Sequence, residues 1–567
     1  MPYEVGVSSG FWQIAKDPAL LGMSQKAGFI ATAGVTFNQI DMETVAEFLE
    51  PRVKENVKRI QKELGLKIGM HAEIGSMSAL ESGERRIWDE AHKRLVLAVK
   101  NATEMNIVYI NFHTSSTGLL QFNEARIRPF GFQYQVVAPN GRPFYEFADK
   151  SEGAIEYIKQ IITGGHMRDM IAREPHFREK LKALAKRYDD LLKKRIDEAI
   201  RKLESSPDYK SLPPEQRRQV KENASMQVSR DVNQEFEQEE RKLAGNADEL
   251  YDSWKHSDFG QYVMEAGEID AYMTVASDMH KNGDMLWTNI VGSKSAGKAY
   301  IEEEHAFNAA VASAYIIGHL TVKNNKYNRD ILDGMSVLEF VSKKGLILCF
   351  ELPEVERRED QGEGLYRLFH PKHTQWFVRK LNSPFVRLCI DFEHMLAQNL
   401  DPSKVLPELP NDFGKLVYLF HLGEPKPYWG MAHIPIPLGS HAQEIIYEWL
   451  YIMRQKGFKN GVLIFERGGG RAGGRTTFEV FELSVLALKN MAKYLEQNIK
   501  PDELPLDFYG ISEKNEAVYA RELVTVKEHA WDPLEGVLSI PEEKHTFLSG
   551  AAIAKNKGQE WEKRKFR

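Results

Sequence analysis

The chain has 567 residues, 42% of them apolar and 28% charged, with a mean hydropathy of −0.44. These values fit a folded protein of several domains and exclude a collagen-like, mucin-like or wholly disordered chain. The net charge of −6, from 75 basic and 81 acidic residues, argues against coating nucleic acid by bulk charge but leaves room for a local basic groove. No run reaches the roughly 18 uncharged apolar residues of a membrane span. The nearest candidate, residues 306–320, holds Asn308 and His319. The first residues, MPYEVGVSSGFW, lack the basic and apolar stretches of a secretory signal. Cys349 and Cys389 are too few for a disulfide framework or a cysteine zinc site. A cytoplasmic protein with no membrane partner is expected.

In chain order, residues 3–8 (YEVGVS), 36–41 (TFNQID), 67–72 (KIGMHA) and 107–113 (IVYINFH) read as strands. Residues 42–64 carry Val45, Phe48, Leu49, Val53, Val57 and Ile60 at helical spacing, and residues 86–105 form a second helical stretch before the fourth strand. Such alternation implies parallel strands with crossover helices.

Residues 119–339 break the pattern and read as a mostly helical insertion. It opens with a hairpin around Ala138-Pro139-Asn140-Gly141. Leu181, Leu184, Tyr188, Leu191, Leu192, Ile196, Ile200 and Leu203 then form one apolar stripe, expected to be a structural seam. SSPDYKSLPP at 205–214 marks a break between helices. The run GSKSAGK at 292–298 resembles the start of a phosphate-binding loop. Ala299 replaces the hydroxyl residue that would reach magnesium, so nucleotide binding is not expected. His305 and His319, on the apolar helix that follows, read as core or surface histidines. The insertion itself would serve as a lid or substrate wall, or as an oligomerisation or partner-binding module.

Strand patterns resume at 346–351 (LILCFE), 386–391 (VRLCID), 416–421 (LVYLFH) and 462–466 (VLIFE), with a helix at 442–455 before the last. Short apolar runs of this kind suit strands buried on both faces. Eight strand–helix units give an α/β (β/α)8 barrel in two parts, residues 1–118 and 340–500. A Pro-rich, charged extension of low order is expected over 501–567.

Six successive strands end in chemistry-bearing residues: His71, His113, Glu351, Asp391 (followed by His394), His421 and Glu466. In this fold the C-terminal strand ends build the active site, and histidine with carboxylate is a ligand set for zinc, manganese or iron. A lone histidine or carboxylate at a strand end is ordinarily a loop residue or a helix cap. Six in phase around one rim point to metal. His433, in the Pro- and Gly-rich loop after strand seven, is either a further ligand or a loop residue. Glu351 and Glu466 can bridge two divalent ions, and two or three such ions can generate hydroxide and clamp a phosphate. Arg467, Arg471 and Arg475, in the run RGGGRAGGR after strand eight, are read as contacts to a phosphate or acidic substrate. The alternative for that run is a solvent loop.

The motifs GMHA, NFH, CFELPE, CIDFEH, LFHLGE, MAHIPIPLG and LIFE resemble the endonuclease IV group (AP endonuclease family 2) of the xylose isomerase-like TIM barrels, across residues 1–118 and 340–500. The resemblance implies a zinc-dependent phosphoester hydrolase of DNA repair, cutting DNA at abasic sites with two or three ions. It implies that His71 and His113 hold a first ion and that Glu351 bridges to a second, completed by Asp391, His421 and Glu466. His394 and His433 would belong to a third. Met431 stands where the family's Asp-x-His motif has its aspartate, and Ile74 where the family has a tyrosine. The related sugar isomerases and epimerases share a smaller set, here Glu351, Asp391, His421 and Glu466. That reading implies one divalent ion, Mn2+ or Mg2+, polarising the oxygens of a sugar or phosphorylated sugar while the two glutamates, as catalytic residues, move a proton. A third reading is a metal-binding scaffold whose insertion docks a partner.

Overall fold

Each strand is a run of five or six residues, most of them rich in Val, Ile, Leu, Phe and Tyr. In the computed structural model these runs are β1 (Tyr3–Ser8), β2 (Phe37–Asp41), β3 (Lys67–His71), β4 (Tyr109–His113), β5 (Ile347–Glu351), β6 (Val386–Asp391), β7 (Val417–Leu422) and β8 (Gly461–Phe465). The structure describes residues 2–10, 22–31, 34–42, 50–72, 79–116, 118, 136–143, 146–147, 150–156, 175–244, 268–353, 366–425, 434–466 and 477–511. The eight strands pair in sequence order, all parallel, and β8 closes on β1 with Tyr3 opposite Gly461. The expected (β/α)8 barrel is therefore present. Strand bounds differ from the sequence reading by a residue or two: β7 runs past His421 to Leu422, and β8 stops at Phe465. Glu466 still follows the ladder, because its N–H donates to the Leu422 carbonyl at 3.2 Å.

Phe37, Tyr109, Cys349, Cys389, Leu419, Val462 and Ile464 fill the barrel interior. Gly69 makes room for this layer. A Cβ there would lie 2.2 Å from the Tyr109 ring, so only glycine lets the phenol cross the barrel. Outside, helices occupy the crossovers. Pro51–Leu64 starts on a proline and ends at left-handed Gly65, and Val337–Lys344 starts in a Ser336/Glu339 capping box and ends at Gly345. Arg85–Glu104, Pro371–Leu381, His441–Gln455 and Thr477–Gln497 complete the main helical layer.

The chain divides into two compact units. The barrel unit takes its described residues from 1–128, 137–141 and 284–567; the second unit takes them from 129–136 and 142–283. Residues 284–339, placed in the insertion by sequence pattern, thus belong to the barrel unit. Their apolar helix Glu304–Thr321 is buried along most of its length and packs against Pro371–Leu381. The turn of the expected hairpin also sits in this unit. Gly141 donates to the Ala138 carbonyl at 2.8 Å, and Trp88 and Tyr315 bond to the carbonyls of Pro139 and Val137. The residues flanking that turn at 119–135 and 144–145 lie outside the described set.

In the second unit, Pro175–Ser205 and Pro214–Ala244 form an antiparallel pair joined through the short helix Pro207–Ser211. Leu184, Tyr188 and Val232 are its core, with Leu191 and Leu192 packed alongside, so these positions of the apolar stripe lie in a helix–helix seam. Arg195 pairs with Glu235 at 2.7 Å, and Lys221 with Glu204, across the same pair. Of the C-terminal extension, residues up to 511 are described. Leu506–Tyr509 forms a 3-10 turn that buries Phe508. Among the described residues no helix is long and apolar enough to cross a membrane.

Candidate metal centre

Side chains alternate faces along a strand, so the positions that fill the core also fix what appears at the rim. Cys349 and Cys389 are core residues, and two residues later come Glu351 and Asp391. Leu419 is followed in phase by His421, Ile464 by Glu466, Gly69 by His71, and Tyr109 by Asn111 and His113. The strands therefore carry their ligand-type side chains inward at one end. His71, His113, Glu351, Asp391, His394, His421 and Glu466 are all at most 6% exposed. His433, Met431, Ile74, Arg467, Arg471 and Arg475 lie outside the described residues.

Glu351 stands at the middle of the cluster. One of its oxygens lies 2.8 Å from Nδ1 of His421 and 3.6 Å from Nδ1 of His394. The other lies 3.3 Å from Nε2 of His71 and 3.8 Å from Nε2 of His113, and accepts a bond from the Asn111 amide at 2.5 Å. His421 Nδ1 is also 2.7 Å from a Glu466 oxygen. Asp391 ends β6 and caps the helix Phe392–Ala397, accepting from the Glu393 and His394 N–H groups through Oδ1. The cap turns His394 back into the cluster, where its Nε2 lies 3.8 Å from the second Asp391 oxygen. His394 thus lies beside Glu351 and Asp391, and His433, its expected partner at a third ion, lies outside the described residues.

Ligand atoms of Glu351, Asp391, His421 and Glu466 all lie within 4.8 Å of one another; so do those of His71, His113 and Glu351. Two loci therefore share Glu351. Three buried carboxylates make the centre strongly negative. Burial alone would raise the Glu351 pKa, but the His421 charge and bonds from His421 and His71 hold it well below the usual carboxylate range. Burial opposes charge on His71, yet its bond to Glu351 and the nearby carboxylates push it up to about 9, and His421 is likewise raised. His113 is instead pushed down to about 3 by burial and by its neighbour His71. A centre that draws protons onto two of its imidazoles has the field that a divalent cation would answer. The donor set fits such an ion.

Gln39 was absent from the sequence-derived set. Its side-chain oxygen accepts from Tyr109 Oη at 2.8 Å and lies 2.9 Å from His421 Nε2, and its amide reaches Asp41 at 3.3 Å. Because the oxygen can only accept, His421 must carry a proton on Nε2, which turns Nδ1 toward Glu351 and Glu466. Asn111, which donates to Glu351, was missed as well. Both are polar residues in phase with core positions of their strands, and that phase is the signal by which they could have been found. Lys26, fully buried, donates to the Asp41 carbonyl at 2.8 Å beside this cluster. Past β4, Thr114 bonds the Leu368 carbonyl and Arg367 the Gly118 carbonyl, tying the exits of β4 and β5 together.

No family model matches the chain, and no curated protein matches it. Among solved structures, D-psicose 3-epimerase with D-tagatose from Clostridium cellulolyticum H10 aligns at 10% identity, covering 87% of this chain and 100% of that one, with a TM-score of 0.36. L-ribulose 3-epimerase aligns at 10% identity over 87% and 97%, with a TM-score of 0.37. The 3-keto-D-glucoside 4-epimerase from E. coli aligns at 10% identity over 87% and 99%, with a TM-score of 0.34. These values carry no functional argument, so any conclusion about activity stands on the side chains. What is established is a closed eight-stranded parallel barrel with a buried His, Asp and Glu cluster at its C-terminal rim.

Proposed function

We propose that the chain is a divalent-metal-dependent isomerase or epimerase acting on a sugar or a sugar-like polyol. The observation that carries this is the four-residue cage of Glu351, Asp391, His421 and Glu466, whose ligand atoms lie within 4.8 Å of one another. Three carboxylates and one imidazole suit an oxygen-preferring ion such as Mn2+ or Mg2+ better than zinc. When bound there, the ion would polarise neighbouring carbonyl and hydroxyl oxygens of the substrate.

The chain's own residues supply the proton chemistry. Glu351 and Glu466 both approach the same imidazole nitrogen, so their carboxylates face one small volume from two strands, β5 and the end of β8. One carboxylate would take the proton from the carbon next to the substrate carbonyl. The other, starting as the protonated acid, would give its own proton, to the adjacent carbon for isomerisation or to the other face for epimerisation. Gln39 holds His421 in one tautomer, and Asn111 orients Glu351 by its amide donor. A phosphorylated sugar would find its counter-charge in Arg467, Arg471 and Arg475.

The test is solvent exchange. The metal-loaded chain, incubated in D2O with a panel of ketoses and their phosphates, is expected to place deuterium beside the carbonyl of one of them. Glu466→Gln should reduce that exchange about 100-fold or more, as expected for losing a general acid–base. Absence of exchange across the panel with the ion bound would sink the isomerase reading.

A second reading, phosphoester hydrolysis, is favoured by the locus of His71, His113 and Glu351, which would give a pair of ions sharing one carboxylate. Two tightly held ions per chain with release of phosphate from a diester would support it.

A further inference from the structure

Asp41 ends β2 with its side chain turned to the barrel interior, in phase with Phe37 and Gln39 and level in register with His71. It is fully buried, yet it belongs to neither of the ion loci at the barrel mouth. Its Oδ2 accepts from the Ser8 hydroxyl at 2.7 Å, the Ser9 hydroxyl at 2.9 Å and the Gly10 N–H at 2.7 Å. Its Oδ1 accepts from the Gln39 side-chain amide at 3.3 Å. Its backbone carbonyl accepts from the ammonium of buried Lys26 at 2.8 Å.

These bonds decide how Gln39 is turned. The two ends of a glutamine amide are nearly alike in shape, so its partners settle which end is oxygen. Two partners of Gln39, the Tyr109 hydroxyl and the His421 imidazole, can each donate or accept. The Asp41 carboxylate can only accept, and so it draws the NH2 end to itself. The Gln39 oxygen is left facing His421 Nε2 at 2.9 Å, which keeps a proton on that nitrogen and turns Nδ1, as the ligand atom, toward Glu351 and Glu466.

We propose that Asp41 is a positioning residue of the metal centre, acting through Gln39 on the tautomer of His421. The relay crosses the barrel from β2 to β7: Asp41 orients the Gln39 amide, and the amide orients the imidazole. It rests on the divalent-metal part of the proposed function and is independent of the reaction that the ion serves. Replacing Asp41 by asparagine exposes the logic. Ser8, Ser9 and Gly10 direct three donors at one oxygen position, so the introduced amide keeps its oxygen there and turns its NH2 to Gln39. Gln39 must then reverse and present its own NH2 to His421 Nε2. That nitrogen now has to accept, so the imidazole proton moves to Nδ1 and blocks the ligand atom.

The experiment has two readouts on the full chain. Competition titration gives Mn2+ affinity, and NMR of the 15N-histidine-labelled protein saturated with Mg2+ detects the His421 Nε2 proton, assigned by its absence from His421→Gln. Asp41→Asn is expected to bind Mn2+ about 10–100-fold more weakly, the range for outer partners of a ligand, and to lack that proton signal. Adding Gln39→Glu to Asp41→Asn should restore the signal and return the affinity to within about threefold of the original, because the new carboxylate accepts from both neighbours. Were Asp41 only an anchor for Ser8, Ser9 and Gly10, the double variant would bind as poorly as Asp41→Asn. Were its charge alone at work, Asp41→Asn would bind weakly but keep the signal at saturation. Either result overturns the proposal, as does unaltered affinity in Asp41→Asn. Should Asp41→Asn fail to fold, the double variant decides: a folded protein with the signal supports the relay, and loss of either counts against it.

Discussion

Replacing Gln39 by leucine removes the oxygen that accepts from Tyr109 and pairs with His421 across the barrel. Gln39 is fully buried, so water cannot take over either bond. Each orphaned donor costs about 1–3 kcal/mol, and the added apolar contact of leucine returns about 1 kcal/mol. The net loss is therefore about 1–5 kcal/mol, read as a lower urea midpoint in metal-free protein. The imidazole also loses the bond that fixes its tautomer, and outer partners of this kind are worth about 10–100-fold in metal affinity. Mn2+ competition titration reads that second effect. Tyr109→Phe removes one of the two donors in advance, so the double variant should cost less than the sum of the single ones. A folded Gln39→Leu protein with Mn2+ affinity within about twofold of the original would refute the role assigned to Gln39 and His421.

Two further outcomes are expected. Gly69→Ala should cost about 1–3 kcal/mol and lower metal affinity together, because its methyl displaces the Tyr109 ring and with it the bond to Gln39; thermal unfolding with and without Mn2+ checks both. Acid should weaken the fold through the buried pair His92 and His319. Burial pushes His92 down to about 4 and His319 well below its usual value, and the two are stacked against Trp88. Their folded pKa values are depressed and histidine unfolded titrates near 6.5, so stability is full above that value and is lost as pH falls below it. At pH 5 His92 alone accounts for about 2 kcal/mol. A urea midpoint that holds steady between pH 7 and 5 would contradict a neutral pair.

The barrel was legible in the chain because buried parallel strands read as short apolar runs, and these eight do so within a residue or two of their observed ends. The rim was legible for the same reason. A strand that places Cys349 or Leu419 in the core must place Glu351 or His421 in phase above it. Gln39 and Asn111 obey the same phase but escaped, because an amide in a strand carries no chemical signature of its own. The partnership of Gln39 with His421 joins β2 to β7 across the interior, strands that are not neighbours in the sheet, and no local pattern encodes it. The division of the insertion was hidden too. Residues 284–339 are helical like those before them, and only the burial of Glu304–Thr321 against Pro371–Leu381 assigns them to the barrel.

Anomalous scattering from crystals grown with Mn2+ locates the bound ion directly. A manganese peak is expected among the side chains of Glu351, Asp391, His421 and Glu466, together with the loss of that peak in His421→Gln. Crystals saturated with Mn2+ that show no density within coordination distance of those four residues would contradict the metal centre.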